Sequence, residues 1–173
     1  MSFSITEHIN TRHVNTILHR PILTENSATF LLYNLSAQLT GWQKYSPLLP
    51  HLSANKTDGR YYTYRVPHLI ALFGLESYTS STQRVFVTEG IFDAVRLTKY
   101  GECALALLTN SPNSSMLNFL YCLPNQITAI CDNDIGGRAL SMRMKKITNS
   151  IITPPSKDLG DASETFIQDI INS

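Results

Sequence analysis

The chain has 173 residues, 43% of them hydrophobic and 16% charged, with a formal net charge of +1. That is enough apolar material for one domain, or a domain with a small subdomain, and it excludes a disordered tail. No stretch reaches the roughly 18 consecutive apolar residues of a membrane span, and MSFSITEHIN has neither the basic start nor the apolar centre of a secretory signal. Three cysteines, Cys103, Cys122 and Cys131, form no CxxC pair and sit in apolar surroundings, which argues against a zinc ribbon and a disulfide framework. The expected setting is a reducing cytoplasm.

Residues 3–19 read loosely as a helix, on Ile5, Ile9, Val14, Ile17 and Leu18. Ala28–Leu35 has strand character, and 38–43 is its expected hairpin partner, with Gly41 in or near a bend. Residues 44–60 are punctuated by Pro, Ser, Asn and Gly and read as a loop. YYTYRV (61–66) is strand-like, and Pro67 is placed to open a short helix ending near Gly74. The polar run 77–83 is the best boundary, dividing the chain into 1–80 and 81–173.

The second half is more regular. Strands are expected at 84–88, 103–108, 126–131 and 151–153. Helices are expected at 91–100, with Gly101 as its C-terminal cap, and at 114–122, 137–148 and 162–171. Four strand-then-helix units imply a parallel four-stranded sheet flanked by helices, a Rossmann-like α/β fold, beside a small N-terminal α+β subdomain.

In such sheets sites form beyond the C-terminal strand ends. Glu89 follows the first of these strands, Asp132 and Asp134 the third, and Lys157, Asp158 and Asp161 the fourth; Asp93 lies one helical turn past Glu89. Each group has an ordinary reading by itself: a helix N-terminal acid, a capped turn, a solvated loop. Together, at three strand ends, six acids predict an oxygen-rich site for Mg²⁺ or Mn²⁺, with room for two ions in phosphoryl transfer.

These residues resemble a known family. VTEGIFDA (87–94) resembles the glutamate motif of the toprim domain, and ICDNDIGGRA (130–139) resembles its D-x-D motif with the following helix. KDLGDA (157–162) is similar to the third acidic motif of phage-type primases, with Asp158 and Asp161 three apart instead of two. The resemblance covers about residues 84–165. More weakly, TGWQK (40–44) and LFGLE (72–76) resemble the N-terminal subdomain of the RNA-polymerase domain of bacterial and phage replicative primases. It implies Glu89 as general acid/base or metal-organising carboxylate, and Asp132 and Asp134 as principal ligands. Asp93, Asp158 and Asp161 would complete the site, and Lys157 would touch a nucleotide phosphate.

The implied activity is synthesis of short RNA primers on a single-stranded DNA template from nucleoside triphosphates. Lys44, Lys56, Arg60 and Arg65, interleaved with Trp42, Tyr45, Tyr61, Tyr62 and Tyr64, suit a single-stranded nucleic-acid groove, and Arg138 adds a cation beside the acids. A strand with one buried aromatic face and a solvated helix face are the structural alternatives. No zinc module and no P-loop is present in the sequence, so a separate helicase or zinc-bearing replication protein is the expected partner. The small size points to a phage or mobile element, hence a host cytoplasm. A toprim metal-dependent nuclease, or a non-catalytic replication accessory or inhibitor, remains open on the same residues.

Overall fold

The computed structural model describes residues 3–51 and 53–173. It has two compact units, one ending at Phe73 and the other spanning Gly74–Ser173. No helix among the described residues is long and apolar enough to cross a membrane.

The first unit opens with α1 (Ile5–Thr11) and α2 (Thr16–His19). The single helix expected over 3–19 is broken by a left-handed His13 (φ 62°). Asn15 then starts a new turn by accepting from the Ile17 and Leu18 amides, both at 3.0 Å. Local side-chain capping wins over apolar periodicity here.

An antiparallel four-stranded sheet follows in chain order: β1 (Ile22–Leu23), β2 (Ala28–Tyr33), β3 (Leu39–Tyr45) and β4 (Tyr61–Arg65). The β2–β3 hairpin forms as expected, and Asn34 Oδ1 fastens its turn by accepting from Ser36 and Gln38. Gly41, expected in a bend, lies mid-strand between Leu32 and Arg65. A Cβ there would stand 2.3 Å from the Tyr64 carbonyl oxygen, so the glycine permits a close strand approach. The helix expected after Pro67 does not form. His68 turns left-handed (φ 67°), and the chain continues extended, with Leu72 bridging Tyr33 and Leu72 and Phe73 filling the core.

The second unit carries β5 (Arg84–Thr88), α3 (Ile91–Thr98), β6 (Cys103–Ala106), α4 (Ser114–Tyr121), β7 (Gln126–Ile130), α5 (Ile135–Met144), β8 (Ser150–Ile152) and α6 (Glu164–Asn172). The strands form a parallel sheet in the order β6-β5-β7-β8. β5, β6 and most of β7 are buried, as near-continuous Val, Phe, Ile, Leu and Ala runs require between two helical layers. Gly101 sits left-handed (φ 83°) just past α3, the expected cap. α5 begins two residues before the expected Gly137, because Asp134 caps it by accepting from the Gly137 amide at 2.8 Å.

The 77–83 run, expected to divide the chain, belongs to the second unit. Tyr78 donates to Asn125 at 2.7 Å, and Asn125 donates back to the Thr82 carbonyl at 2.6 Å. Its Ser/Thr hydroxyls and tight turns mimic a linker composition while the backbone is pinned. The boundary falls earlier, where Gly74 adopts φ 93° and packs its Cα face against β6.

A Cβ at Gly74 would stand 2.0 Å from the Ala104 carbonyl oxygen, and the left-handed backbone adds its own penalty. Gly74→Ala is therefore expected to cost on the order of 2 kcal/mol or more in urea denaturation. A variant as stable as the parent would show that the Gly74 contact is relaxed.

Candidate active site

The sheet order reverses between β5 and β7. β5 is followed by β6 on one side, and β7 by β8 on the other, so the reversal point, where parallel sheets bind ligands, lies beyond the C-terminal ends of the two central strands. Glu89 follows β5 at this point, and Asp132 and Asp134 follow β7. Main-chain bonds stitch the rim together. Leu108 donates to the Glu89 carbonyl at 2.8 Å, and Asn133 to the Lys157 carbonyl at 2.8 Å. The start of α5 presses on the Asp132 main chain so closely that a Cβ at Gly137 would stand 1.8 Å from the Asp132 carbonyl oxygen.

The acids feel one another. Glu89 is pushed up to about 7 by burial, then by the charges of Asp134 and Asp93. Asp132 is also raised to about 7 by burial, then by Glu89, Asp158 and Asp134, with Lys157 opposing. The sequence-expected Glu89, Asp132, Asp134, Asp158 and Lys157 thus lie within one electrostatic neighbourhood. Asp161 is exposed at the end of a 3₁₀ turn, its amide donating to Asp158 Oδ1 at 3.0 Å.

Asp93 shares this neighbourhood, its charge acting on Glu89. It is buried, only 7% exposed. Its Oδ1 accepts from the Gly160 amide at 2.9 Å, and its carboxylate also takes the Gly90 amide, the reciprocal half of a helix-capping box. Burial, then Asp132 and Asp158, raise it to about 7 against those two hydrogen bonds. One turn along α3, buried Arg96 donates to the Ala162 carbonyl at 2.8 Å and pairs with Glu164 at 3.3 Å. Asp93 and Arg96 therefore anchor the third acidic loop to α3.

The sequence reading missed Arg96, though a lone cation three residues past Asp93 in an apolar helix was a signal. It also missed Asn110, whose side-chain nitrogen would stand 2.8 Å from a Cβ at Gly136, with Asp134 Oδ1 at 3.2 Å from the same point. Nothing in the sequence marks Asn110.

The residues able to hold a hard divalent cation are all oxygen donors: Glu89, Asp132, Asp134 and Asp158. Glu89 Oε1 is buried with no hydrogen-bond partner, an acceptor that a cation or a proton would satisfy. Among the described residues, no three His, Cys, Asp or Glu side chains already stand in a metal-holding arrangement. The donor set is chemically apt without being preformed.

In the first unit, one face of β3–β4 is aromatic and open. Trp42 pairs across the strands with Tyr64, and Lys44 with Tyr62. The Trp42 ring lies 5.3 Å from Tyr62 and 6.0 Å from Tyr64, the latter stacked. Tyr64 and Lys44 are exposed. Tyr45, expected to join the stacking residues, is instead 5% exposed on the opposite face, bonded to His8 at 2.8 Å. The period-two alternation of a strand separates it from Trp42 and Lys44. Arg60 donates through Nε to the Leu49 carbonyl at 3.3 Å, and Arg65 is half-buried, its pKa lowered by desolvation. The side chain of Lys56 lies outside the described residues. Arg138 is exposed on the first turn of α5, its amide bonded to the Asp134 carbonyl.

No family model and no curated protein matches this chain. Solved structures do. The E. coli primase catalytic core aligns over 96% of this chain and 60% of its own, with TM-score 0.62 and 17% identity. The primase fragment of the bacteriophage T7 primase-helicase protein aligns over 98% and 72%, with TM-score 0.66 and 14% identity. A DnaG primase catalytic domain bound to single-stranded DNA aligns over 91% and 59%, with TM-score 0.63 and 16% identity. The fold is that of primase catalytic cores, and the chain spans a little over half the length of the first bacterial cores it matches.

Because Glu89, Asp93 and Asp132 titrate near 7, the folded protein keeps protons that the unfolded chain releases in the ordinary carboxylate range. Their contribution to stability is complete below that range and is lost as pH rises towards 7. In metal-free buffer the melting temperature is expected to fall from pH 5 to pH 8, and Asp132→Asn to flatten that fall. A parent curve flat across this window would contradict the raised values.

Proposed function

We propose that the chain is the core of a Mg²⁺- or Mn²⁺-dependent nucleotidyltransferase that makes short RNA primers on single-stranded DNA. The observation that carries this reading is the set of raised, mutually coupled carboxylates at the reversal point of a parallel sheet, in a fold matching primase catalytic cores. Asp132 and Asp134 are the principal ion ligands, and Asp158 and Asp161 complete the set or hold a second ion. Divalent ions, when bound, neutralise triphosphate charge and polarise the reacting oxygens.

The remaining chemistry belongs to the side chains. Glu89, raised to about 7, would in its unprotonated form take the proton of the attacking hydroxyl. Lys157 and Arg138 steer the triphosphate towards the acids. Asp93 holds the third acidic loop in place through Gly160 instead of touching substrate. On the first unit, Trp42, Tyr62 and Tyr64 stack template bases and Lys44 meets a phosphate, with Arg60 and Arg65 shaping the groove. A helicase or zinc-bearing replication protein is the partner this reading implies, as the primase-helicase relative suggests.

The test is incubation with single-stranded DNA, labelled ribonucleotides and Mg²⁺ or Mn²⁺. Extension is expected. Asp132→Asn and Asp134→Asn should each abolish it with the fold intact, and Glu89→Gln should lower turnover by about 10²-fold or more. Degradation of the DNA would favour a nuclease, and binding without turnover an accessory role.

Template binding has its own measurement. Anisotropy of labelled single strands over a salt series should show Lys44→Ala flattening the log-log salt slope by roughly one unit. Trp42→Ala should weaken binding by about 1–3 kcal/mol with little salt dependence. Unchanged affinity and slope in both variants would make residues 40–66 scaffold only.

A further inference from the structure

The third acidic loop is pinned at both ends. At its start, the Asn133 amide donates to the Lys157 carbonyl at 2.8 Å, which ties the loop to the residues after β7. At its end, Arg96 Nη2 donates to the Ala162 carbonyl at 2.8 Å, while Nη1 stands 3.3 Å from Glu164 in the first turn of α6. Between the pins runs one 3₁₀ turn, Leu159–Asp161. The Asp161 amide donates to Asp158 Oδ1 at 3.0 Å, and the Gly160 amide to Asp93 Oδ1 at 2.9 Å. The orientation of the Asp158 carboxylate therefore follows the position of the turn, and a guanidinium fixes the downstream end of that turn.

This guanidinium contributes little by its charge pairing. The Arg96 side chain is 6% exposed, whereas Glu164 is 45% exposed and also accepts from Lys99 Nζ at 3.1 Å and from Tyr100. A buried cation facing a half-solvated carboxylate loses in desolvation much of what the attraction returns. An apolar side chain of similar length could fill the same space in α3. It could not reach a main-chain carbonyl on the loop and a carboxylate on the next helix at once, which the forked donors of arginine do. Arg96 thus supplies position where it supplies little stability.

We propose that Arg96 is a positioning residue for the second divalent ion, holding Asp158 and Asp161 where they complete that ion's coordination. The proposal rests on the two-ion reading above. The first ion lies outside its influence, because Asp132 and Asp134 flank Asn133 at the other pin and Asp134 is fixed by its own bond to Gly137. Groups that orient a ligand without touching the metal govern affinity nearly as strongly as the ligand itself. The site then loads in two steps, first at residues held by β7 and α5, then at a loop held by α3.

The test is a Mn²⁺ titration of the whole chain, with free Mn²⁺ read by electron paramagnetic resonance. The parent should bind in two steps. Arg96→Met should move the weaker step to Mn²⁺ concentrations about 10–100-fold higher and leave the tighter step in place. Arg96→Lys, which can still donate to the Ala162 carbonyl, should recover part of that shift. Glu164→Gln leaves the Ala162 bond intact and should bind as the parent does. In the metal-free protein, amide exchange at Gly160 and Asp161 should quicken in Arg96→Met while its melting temperature stays near the parent's.

Both steps unchanged in Arg96→Met, with or without a lower melting temperature, would overturn the proposal and leave Arg96 a structural residue. So would an equal shift of both steps, an equal shift in Glu164→Gln, or a single step in the parent. If Arg96→Met does not fold, Arg96→Lys decides: a shift confined to the weaker step supports the proposal, and no shift overturns it. A parent that binds no Mn²⁺ would overturn the two-ion reading itself, a result distinct from two intact steps in both parent and variant.

Discussion

Negative charge held out of water at a strand edge is what the second unit is arranged around. Glu89 and Asp132 repel each other and Asp134 across the reversal between β5 and β7, and a proton retained to about neutral pH is one way the fold tolerates this. The surrounding structure resists the relaxation that would otherwise separate the acids. Asp134 is tied down as the cap of α5, Asp158 as the cap of its 3₁₀ turn, and Asp93 by two backbone amides. These three carboxylates therefore each have a structural bond, whereas Glu89 keeps a buried oxygen, Oε1, without a hydrogen-bond partner. The arrangement is costly in the absence of cations and favourable in their presence, as a site that recruits hard divalent ions and phosphates requires.

The α3 helix carries the mechanical part of this arrangement. Its residues Asp93 and Arg96 are both buried, and they reach in turn to Gly160 and Ala162, on either side of Asp161. A loop that supplies ligands has few bonds of its own, so its position depends on what it is anchored to. Here the anchors are buried ionisable groups whose desolvation is only partly offset by main-chain hydrogen bonds. Removal of Arg96 would leave Glu164 with Lys99 and Tyr100 as partners, and the loop with one anchor fewer.

Much of the second unit was legible in the sequence because its signals are strong and local. Buried parallel strands such as RVFVT and QITAI are short apolar runs, and the acids fall directly after them. The first unit was less legible. Its long N-terminal helix is interrupted by a left-handed histidine and an asparagine cap, and Gly41 has a packing role that composition cannot distinguish from a bend. Among the site residues, strand ends located Glu89, Asp132 and Asp134, whereas the depth of Asp93 depends on where a loop some 67 positions away in sequence folds back. Tyr45 shows the same limit: alternation fixes that it opposes Trp42 in facing, but only the packing of His8 determines which face is covered.

The rim itself is fastened by main chain. Leu108 joins Glu89, Asn133 joins Lys157, and Cys131 joins Ile152, all through amides and carbonyls that every residue type except proline can provide. Leu108 even holds a left-handed conformation at this point without being glycine. Geometry secured in this way does not depend on which side chains decorate it. Such a rim can lose nearly all its original letters over time and keep its shape, so that the acids are free to be retained, exchanged or abandoned by selection acting on chemistry alone.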